Sequence, residues 1–200
     1  MRLGIGKPAI VAVAFLAVAG CTAGATQHVY VLGDTAAPGP AEVSQLKAPT
    51  IEVQPVQVPD YLDTTSILTR GAGGLMVPSP TGRWGERLSI GIARAVQATL
   101  ARRLPHVAVT TSQPLRTPRW LVRIAVEAFS VRPDQGGTLV AQWTLIDGRN
   151  GRPFAEEREV LDSPGPLHGD AAVVAAMSQQ VNALANRIAD SLAAAGHRRT

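Results

Sequence analysis

The chain has 200 residues, enough for one compact domain with terminal extensions. Hydrophobic residues make up 46% of it, which suffices for a buried core, and the first twenty residues raise the mean hydropathy to +0.10. The formal net charge of +4 comes from basic residues that are scattered without interleaved aromatic side chains, so nucleic acid is not expected as a partner. One cysteine excludes an intramolecular disulfide, and stability must therefore come from packing.

Residues 1–20 are predicted to be a targeting segment. Arg2 and Lys7 form a basic region, and residues 8–19 form an apolar run shorter than the ~20 residues that a membrane-spanning helix needs. The run ends in two small residues before Cys21, which resembles a bacterial lipobox, where the cysteine becomes lipid-modified and is the mature N-terminus. The alternative is an ordinary secretory signal that happens to contain a cysteine. Cleavage before Cys21 removes two basic residues and lowers the net charge from +4 to +2.

Residues 21–26 are predicted to be a tether of small residues between the anchor and the domain. Each methylene of a lipid chain that enters a bilayer contributes about 0.8 kcal/mol, so the protein is expected to be anchored to a membrane without spanning it. Thr22 follows the cysteine. By analogy with lipoprotein sorting, an Asp there would favour the inner membrane, and Thr favours the periplasmic face of the outer membrane.

The first predicted strands precede a helix. Gln27–Leu32 alternates like a strand, Gly33–Lys47 is rich in Pro, Ala and Gly and is typical of a surface loop, and Thr50–Val58 alternates again. The alternation slips at Pro55, which lacks a backbone N–H, and this predicts an edge strand or a bulge. Residues 59–63 are predicted to turn the chain.

A hairpin and the first helix follow. Ser66–Arg70 and Leu75–Val77 are predicted strands joined by the glycine-rich Gly71–Gly74. Thr81 is a suitable N-cap for a helix that Pro105 would end. One apolar stripe at i+4 spacing runs along this helix and is expected to pack on a sheet: Trp84, Leu88, Ile92, Val96 and Leu100.

The second half is predicted to contain four strands and a long helix. After a short strand at His106–Thr111, three segments read as an antiparallel meander: Pro118–Val131, Thr138–Ile146 and Phe154–Leu161. In the first of the three, Trp120, Val122, Ile124 and Val126 share one face, and Arg123, Glu127 and Phe129 share the other. Asp170–Ala195 has helical periodicity, Gly196 would cap it, and residues 196–200 form a basic tail. The predicted domain, residues 27–195, is α+β, a mainly antiparallel sheet with two long helices packed on one face.

These segments resemble the PqiC-like, ABC-type transport auxiliary lipoproteins. The run of residues 59–63 followed by Arg83-Trp84 is the most specific part of the resemblance. The matching pieces occur in the family's order and cover nearly all of the mature chain: Cys21 with its tether, Tyr30-Val31-Leu32, Val58-Pro59-Asp60-Tyr61-Leu62-Asp63, Ile67–Arg70, Arg83-Trp84, Leu139–Leu145 with Gln142-Trp143, and Ser178–Ile188.

The resemblance implies an accessory subunit, without enzymatic activity, of an envelope system that transports lipids or small hydrophobic molecules. In such systems an inner-membrane permease and ATPase act with MCE-domain proteins that span the periplasm. The lipoprotein would dock on the MCE component near the outer membrane, as a ring of several copies. The chain departs from the family pattern at Gly71–Pro80, where glycine and proline are unusually frequent.

Five residues are candidates for partner binding: Asp60, Tyr61, Asp63, Arg70 and Arg83. The first three form a recognition element in one interpretation. In the other, the carboxylates bind local backbone N–H groups and Tyr61 seals the edge of the core. The two arginines either bind lipid phosphate or pair with nearby carboxylates, namely Asp60, Asp63 or Glu86. Trp84 either fills the core or faces lipid.

The residue patterns contain no enzyme signal, and neither a cofactor nor a metal is expected. The four histidines lack ligand spacing. Glu157 and Glu159 share a strand face with Glu156 on the other, which favours a solvated edge over acid–base chemistry. Gly71–Gly74 lacks the Lys-Ser/Thr of a phosphate-binding loop. A stand-alone lipoprotein that binds the cell wall or an assembly machine and a hydrolase of unfamiliar fold are the rival interpretations.

Overall fold

The computed structural model describes residues 26–33, 48–114 and 116–197. Cys21, the targeting segment and residues 34–47 of the predicted loop lie outside these ranges. The chain forms eight strands and two long helices within them: β1 His28–Tyr30, β2 Thr50–Val53, β3 Ser66–Arg70, β4 Met76–Trp84, α1 Leu88–Arg103, β5 Ala108–Thr110, β6 Trp120–Arg132, β7 Gly136–Asp147, β8 Pro153–Pro164 and α2 Gly169–His197.

The strands form two sheets. The larger has the order β5-β2-β6-β7-β8, and the smaller has the order β1-β4-β3. The meander β6-β7-β8 and the hairpin β3-β4 are antiparallel, whereas β2 is parallel to both of its neighbours and β1 is parallel to β4. The α+β class with two long helices is confirmed. The sheets are mixed because β1 and β2 pair with strands distant in the sequence, whose direction the alternation of residues does not encode.

Pro55 interrupts the pairing of the segment after β2. The Gln54 N–H donates to the Val122 carbonyl at 2.9 Å, and the Gln57 N–H donates to the Ile124 carbonyl at 3.0 Å. Pairing therefore resumes after Pro55, as the predicted irregularity requires. The strand itself is not at an edge, because β5 pairs with its outer side.

A bulge in β6 changes the face on which Phe129 lies. Val126 pairs with Ala141 and Ala128 pairs with Val140, so Glu127 is an extra residue without a partner in β7. Phe129 is therefore only 2% exposed. Its predicted position on the polar face with Glu127 is wrong, because one extra residue exchanges the two faces of every later position in a strand.

Helix α1 begins later than its apolar stripe predicts. Thr81 and Trp84 belong to β4, and the Trp84 N–H donates to the Thr65 carbonyl at 2.8 Å. Thr81 is therefore not an N-cap. Trp84 is 3% exposed, so its predicted place in the core is confirmed although it reaches the core from a strand. Pairing with β1 and β3 on both sides keeps this segment extended despite the i+4 spacing.

The two helices lie side by side over one face of the larger sheet. Helix α1 covers β2 and β5, and α2 covers β7 and β8. Thr99 of α1 donates to Asn182 of α2 at 3.2 Å, and Arg103 pairs with Asp190 at 2.6 Å. Helix α2 includes residues 196 and 197, which were predicted to be a helix cap and the start of the tail. The largest fully buried side chains come from strands and helices alike: Trp143, Phe129, Ile51, Ile67, Ile92 and Leu100.

Candidate partner-binding surface at the start of helix α1

The turn at residues 59–63 presents Tyr61 to solvent. The N–H groups of Leu62 and Asp63 both donate to the Pro59 carbonyl, at 2.8 and 3.2 Å. Leu62 is 4% exposed and fills the core edge, while Tyr61 is 53% exposed. The interpretation in which Tyr61 seals the core is wrong, because the turn points only one of these two neighbouring side chains inward. Asp60 is also exposed.

Asp63 connects this turn to the start of α1. Its Oδ1 accepts a hydrogen bond from the Ser89 backbone N–H at 2.9 Å, and its Oδ2 pairs with Arg87 at 2.5 Å. Arg87 occupies the N-cap position and makes no side-chain cap. Asp63 therefore satisfies an N–H group in the first turn of α1, the task an N-cap side chain usually performs. The prediction that Asp63 binds a local backbone N–H group is wrong in its range, because the N–H group that it accepts from lies 26 residues further along the chain.

The electrostatics of Asp63 follow from these contacts. Burial by itself would raise the pKa of this carboxyl group. The hydrogen bonds from Ser89, together with the charge and hydrogen bond of Arg87, outweigh burial and hold the pKa below its ordinary value of 3.8. The carboxylate is therefore ionised at neutral pH and bound to α1.

The two candidate arginines lie at opposite ends of the small sheet. Arg83 is exposed and pairs through its backbone with Ser66, close to the turn, whereas Arg70 pairs with Met76 beside the hairpin turn. Their predicted ion pairs are not formed. Asp63 pairs with Arg87, and Glu86 pairs with another arginine, Arg94, at 2.5 Å. The structure thus brings together four of the five candidates, Asp60, Tyr61, Asp63 and Arg83, and separates Arg70 from them.

Ile90 is a part of this surface that the sequence reasoning missed. It is 51% exposed and borders a shallow apolar groove of about 270 Å³ between α1 and the segment after β2. Arg87 and Arg94 flank it, with 62% and 51% of their side chains exposed. Ile90 lies two residues after Leu88, outside the i+4 stripe, and an isoleucine on the polar side of a helix was the available signal. We refer to Tyr61, Arg83, Arg87, Ile90 and Arg94 as the α1-start surface.

Other charged groups lie on the outer strands of the meander. Arg158 donates two hydrogen bonds from Nε and one from Nη2 to Glu127, which holds the pKa of Glu127 below its ordinary value. Glu157 and Glu159 lie opposite Trp143 and Ala141, and Glu156 is on the other face, as predicted. These carboxylates line the outer edge strand of the sheet.

Two negative findings apply to the described ranges. Residues 26–33, 48–114 and 116–197 contain no group of three His, Cys, Asp or Glu side chains placed to hold a metal ion. Neither helix in this part of the chain is long and apolar enough to cross a membrane.

The described residues form an α+β domain with an exposed surface of apolar and basic side chains at the start of α1. The chain belongs to the family described as the ABC-type transport auxiliary lipoprotein component, whose model matches residues 30–189. Membership places the protein among lipoproteins of the cell envelope that assist ABC-type transport and are typically non-catalytic.

Solved structures share the fold at low sequence identity. The crystal structure of an uncharacterized protein superposes with a TM-score of 0.68 at 20% identity, over 84% of this chain and 99% of that one. Protein XCC0632 from Xanthomonas campestris superposes with a TM-score of 0.63 at 17% identity, over 87% and 96% of the two chains. No curated protein matches this sequence.

Proposed function

We propose that this protein is a lipid-anchored accessory subunit that docks on the periplasmic MCE-domain component of an ABC-type system transporting lipids or small hydrophobic molecules. The observation that carries the proposal is the α1-start surface, on which Tyr61 and Ile90 are more than half exposed beside three arginines. Tyrosine and arginine are the residue types that most often dominate the binding energy of protein interfaces. An exposed apolar patch with a basic border fits an acidic, partly apolar protein surface.

The surface is held in place before any partner binds. Asp63 ties the turn to the first turn of α1, and Leu62 and Trp84 lie buried on either side of that connection. A surface that is already ordered loses less conformational entropy on association than a mobile loop does. This rigidity favours a docking role for the turn over a role in covering a ligand.

The anchor completes the proposed arrangement. Lipid modification of Cys21 would hold the domain at the periplasmic face of the outer membrane through the tether of residues 21–26, and an MCE protein reaching across the periplasm would meet it there. The ring of several copies that the family resemblance implies is part of the same proposal. Mass photometry of the detergent-solubilised protein counts the copies.

A mild-detergent pull-down of the tagged chain tests the docking proposal, with co-purifying proteins identified by mass spectrometry. We expect an MCE-domain protein in near-stoichiometric amount. Tyr61→Ala combined with Ile90→Ser should reduce its recovery at least tenfold, because both changes remove exposed anchors without opening the core. Val160→Ser is the matched control, since Val160 is 53% exposed on β8.

Two results would contradict the proposal. Recovery of cell-wall or assembly proteins in place of an MCE protein would favour the stand-alone lipoprotein instead. Equal recovery of the MCE protein by the wild type and the double variant would place the docking surface elsewhere on the domain.

A further inference from the structure

The β3–β4 hairpin ends in exposed apolar side chains. Residues 71–75 form its turn, closed by a hydrogen bond from the Gly71 N–H to the Leu75 carbonyl at 2.8 Å, and Met76 and Val77 begin β4. Leu75 is 64% exposed and Val77 is 40% exposed. We call Gly71–Val77 the hairpin tip. Within the described residues Leu75 is the most exposed large hydrophobic side chain, and exposed apolar side chains grouped at one turn make it a candidate contact site.

A basic cleft lies beside the hairpin tip. It separates the tip from the turn between β6 and β7, has a volume of about 440 Å³, and is lined by Arg70 and Arg132. The Arg70 Nε is buried and has no hydrogen-bond acceptor, and in the described part of the chain neither arginine forms an ion pair. Asp134 also lines the cleft without pairing with either. A buried N–H group without an acceptor is destabilising. Two guanidinium groups without carboxylate partners beside one cleft are suited to binding an anion.

The direction of β1 places this end of the domain near the lipid anchor. Strand β1 is parallel to β4, with His28 beside Gly82 and Tyr30 beside Trp84, so the chain enters β1 from the end of the small sheet that carries the hairpin tip. Cys21 precedes His28 by seven residues, a reach of at most about 25 Å. Val77 precedes Gly82 by five residues, at most about 17 Å along β4. The hairpin tip is therefore within reach of the membrane surface to which Cys21 would be attached.

We propose that the hairpin tip rests in the membrane interface, with Leu75 and Val77 among the headgroups and with Arg70 and Arg132 bound to the phosphate of an anionic phospholipid. This inference rests on the proposed anchor at Cys21. An apolar tip beside a basic cleft matches the two parts of a lipid, the acyl boundary and the charged headgroup. The α1-start surface lies at the other end of β3 and therefore faces the periplasm, where a protein partner can reach it.

A fluorophore attached at the tip tests the proposal. In the mature chain, residues 21–200 with Cys21→Ser, Leu75→Cys provides the only thiol. Its adduct with an environment-sensitive dye such as NBD is titrated with phosphatidylcholine vesicles that contain or lack 30% phosphatidylglycerol. We expect a blue shift, and quenching by spin-labelled lipid, with the anionic vesicles. Arg70→Gln and Arg132→Gln should each raise the lipid concentration at half-maximal shift about fivefold. Ile90→Cys, labelled in the same way, should show no shift.

The outcomes distinguish a failure of the proposed membrane contact at the hairpin tip from a failure of the proposed lipidation at Cys21. Mass spectrometry of the N-terminal peptide of the natural chain reports lipidation of Cys21 independently. If the emission of the dye at position 75 does not change at saturating anionic lipid, the proposal is overturned whether or not Cys21 is lipidated. A blue shift of the same size for the dye at position 90 also overturns it. Arginine-dependent binding of inorganic phosphate without any Leu75 shift would also overturn it, since the cleft would then be a site for a free anion. Circular dichroism confirms that each variant is folded before it is titrated.

Discussion

Asp63 is the residue through which the turn and the first helix depend on one another. Helix α1 begins at Leu88 without a capping side chain of its own, and the Asp63 carboxylate supplies the acceptor from a different part of the chain. The interaction is also electrostatically favourable, because the negative charge of Asp63 lies near the positive end of the helix dipole. The residues just before Leu88 therefore do not indicate how the start of α1 is capped.

Asp63→Ala should lower the free energy of unfolding by about 1–2 kcal/mol, the usual loss when a capping side chain is removed. The pKa of Asp63 is lower in the folded than in the unfolded protein, so its contribution is present above the unfolded-state pKa and is lost as pH falls through the folded-state value. The stability difference between wild type and variant should therefore be full at pH 7 and disappear towards pH 2. Urea unfolding followed by circular dichroism at several pH values measures it.

Asp60→Ala is the control for this experiment, because Asp60 lies in the same turn and is exposed. Its effect should stay within about 0.5 kcal/mol at every pH. A difference between wild type and Asp63→Ala that persists unchanged at pH 2 would show that packing, and not the ionised carboxylate, is responsible.

Trp84 tests how much one core side chain contributes. It is 3% exposed at the end of β4, where two strands flank it. Trp84→Ala should lower the free energy of unfolding by about 3–5 kcal/mol, through lost burial and the cavity that remains. Guanidinium unfolding measures the loss, with the exposed Tyr61→Ala as the control. A loss below 1 kcal/mol would mean that Trp84 is not in the core.

At the scale of elements, the residues that follow β1 join it to the helix pair. Leu32 is buried, and the Gly33 N–H donates to the Ser178 hydroxyl of α2 at 3.0 Å. A Cβ atom at Gly33 would lie 2.7 Å from the Cβ of Ala95 in α1. The segment that follows β1 therefore contacts both helices at Gly33.

Gly33→Ala should therefore be more destabilising than Gly151→Ala. Both glycines have positive φ, +85° and +69°, so both substitutions introduce backbone strain of about 1–2 kcal/mol. No atom lies within 4 Å of the Cβ position at Gly151, whereas Gly33→Ala adds overpacking of about 1–3 kcal/mol against Ala95. Thermal unfolding of the two variants measures the difference. Equal losses of stability in the two variants would show that the segment around Gly33 can move away from α1.

At the scale of the whole molecule, the small sheet separates two surfaces with different chemistry. The hairpin tip and its basic cleft lie at one end of β3, and the α1-start surface lies at the other. The proposed anchor at Cys21 is sequentially close to the strand that enters from the tip end. This polarity would orient the domain between a membrane and a periplasmic partner.

When an ordinary cleavable secretory signal replaces residues 1–20, Cys21→Ser should move the protein from the membrane fraction to the soluble periplasmic fraction while the domain stays folded. The lipid chains supply most of the membrane affinity, and the hairpin tip alone binds too weakly to survive washing. Ultracentrifugation of lysates followed by immunoblotting measures the distribution. Retention of the variant in washed membranes would mean that a second attachment of comparable strength exists.

How far the sequence predicts this protein depends on the range of the interactions involved. The meander and α2 follow from periodicity, because alternation and i+4 spacing are properties of neighbouring residues and each element's buried face is continuous. Family membership follows from short motifs and their order. The prediction for Phe129 is wrong because the bulge in β6 exchanges the faces of the strand. The prediction for Thr81 is wrong because pairing with two other strands keeps this segment extended.

By itself, the amino-acid sequence determined the α+β class, the second helix, the meander and the family, since all of these depend on local periodicity and motif order. Only the tertiary structure decided that β1 is parallel to β4 and β2 is parallel to β5 and β6. The same holds for the capping of α1 by Asp63 and for the opposite directions of Tyr61 and Leu62. The tertiary structure also separated Arg70 from Arg83 and left Ile90 exposed in the first turn of α1. Each of these facts joins residues far apart in the chain, and no local pattern of side chains records which distant segments will meet.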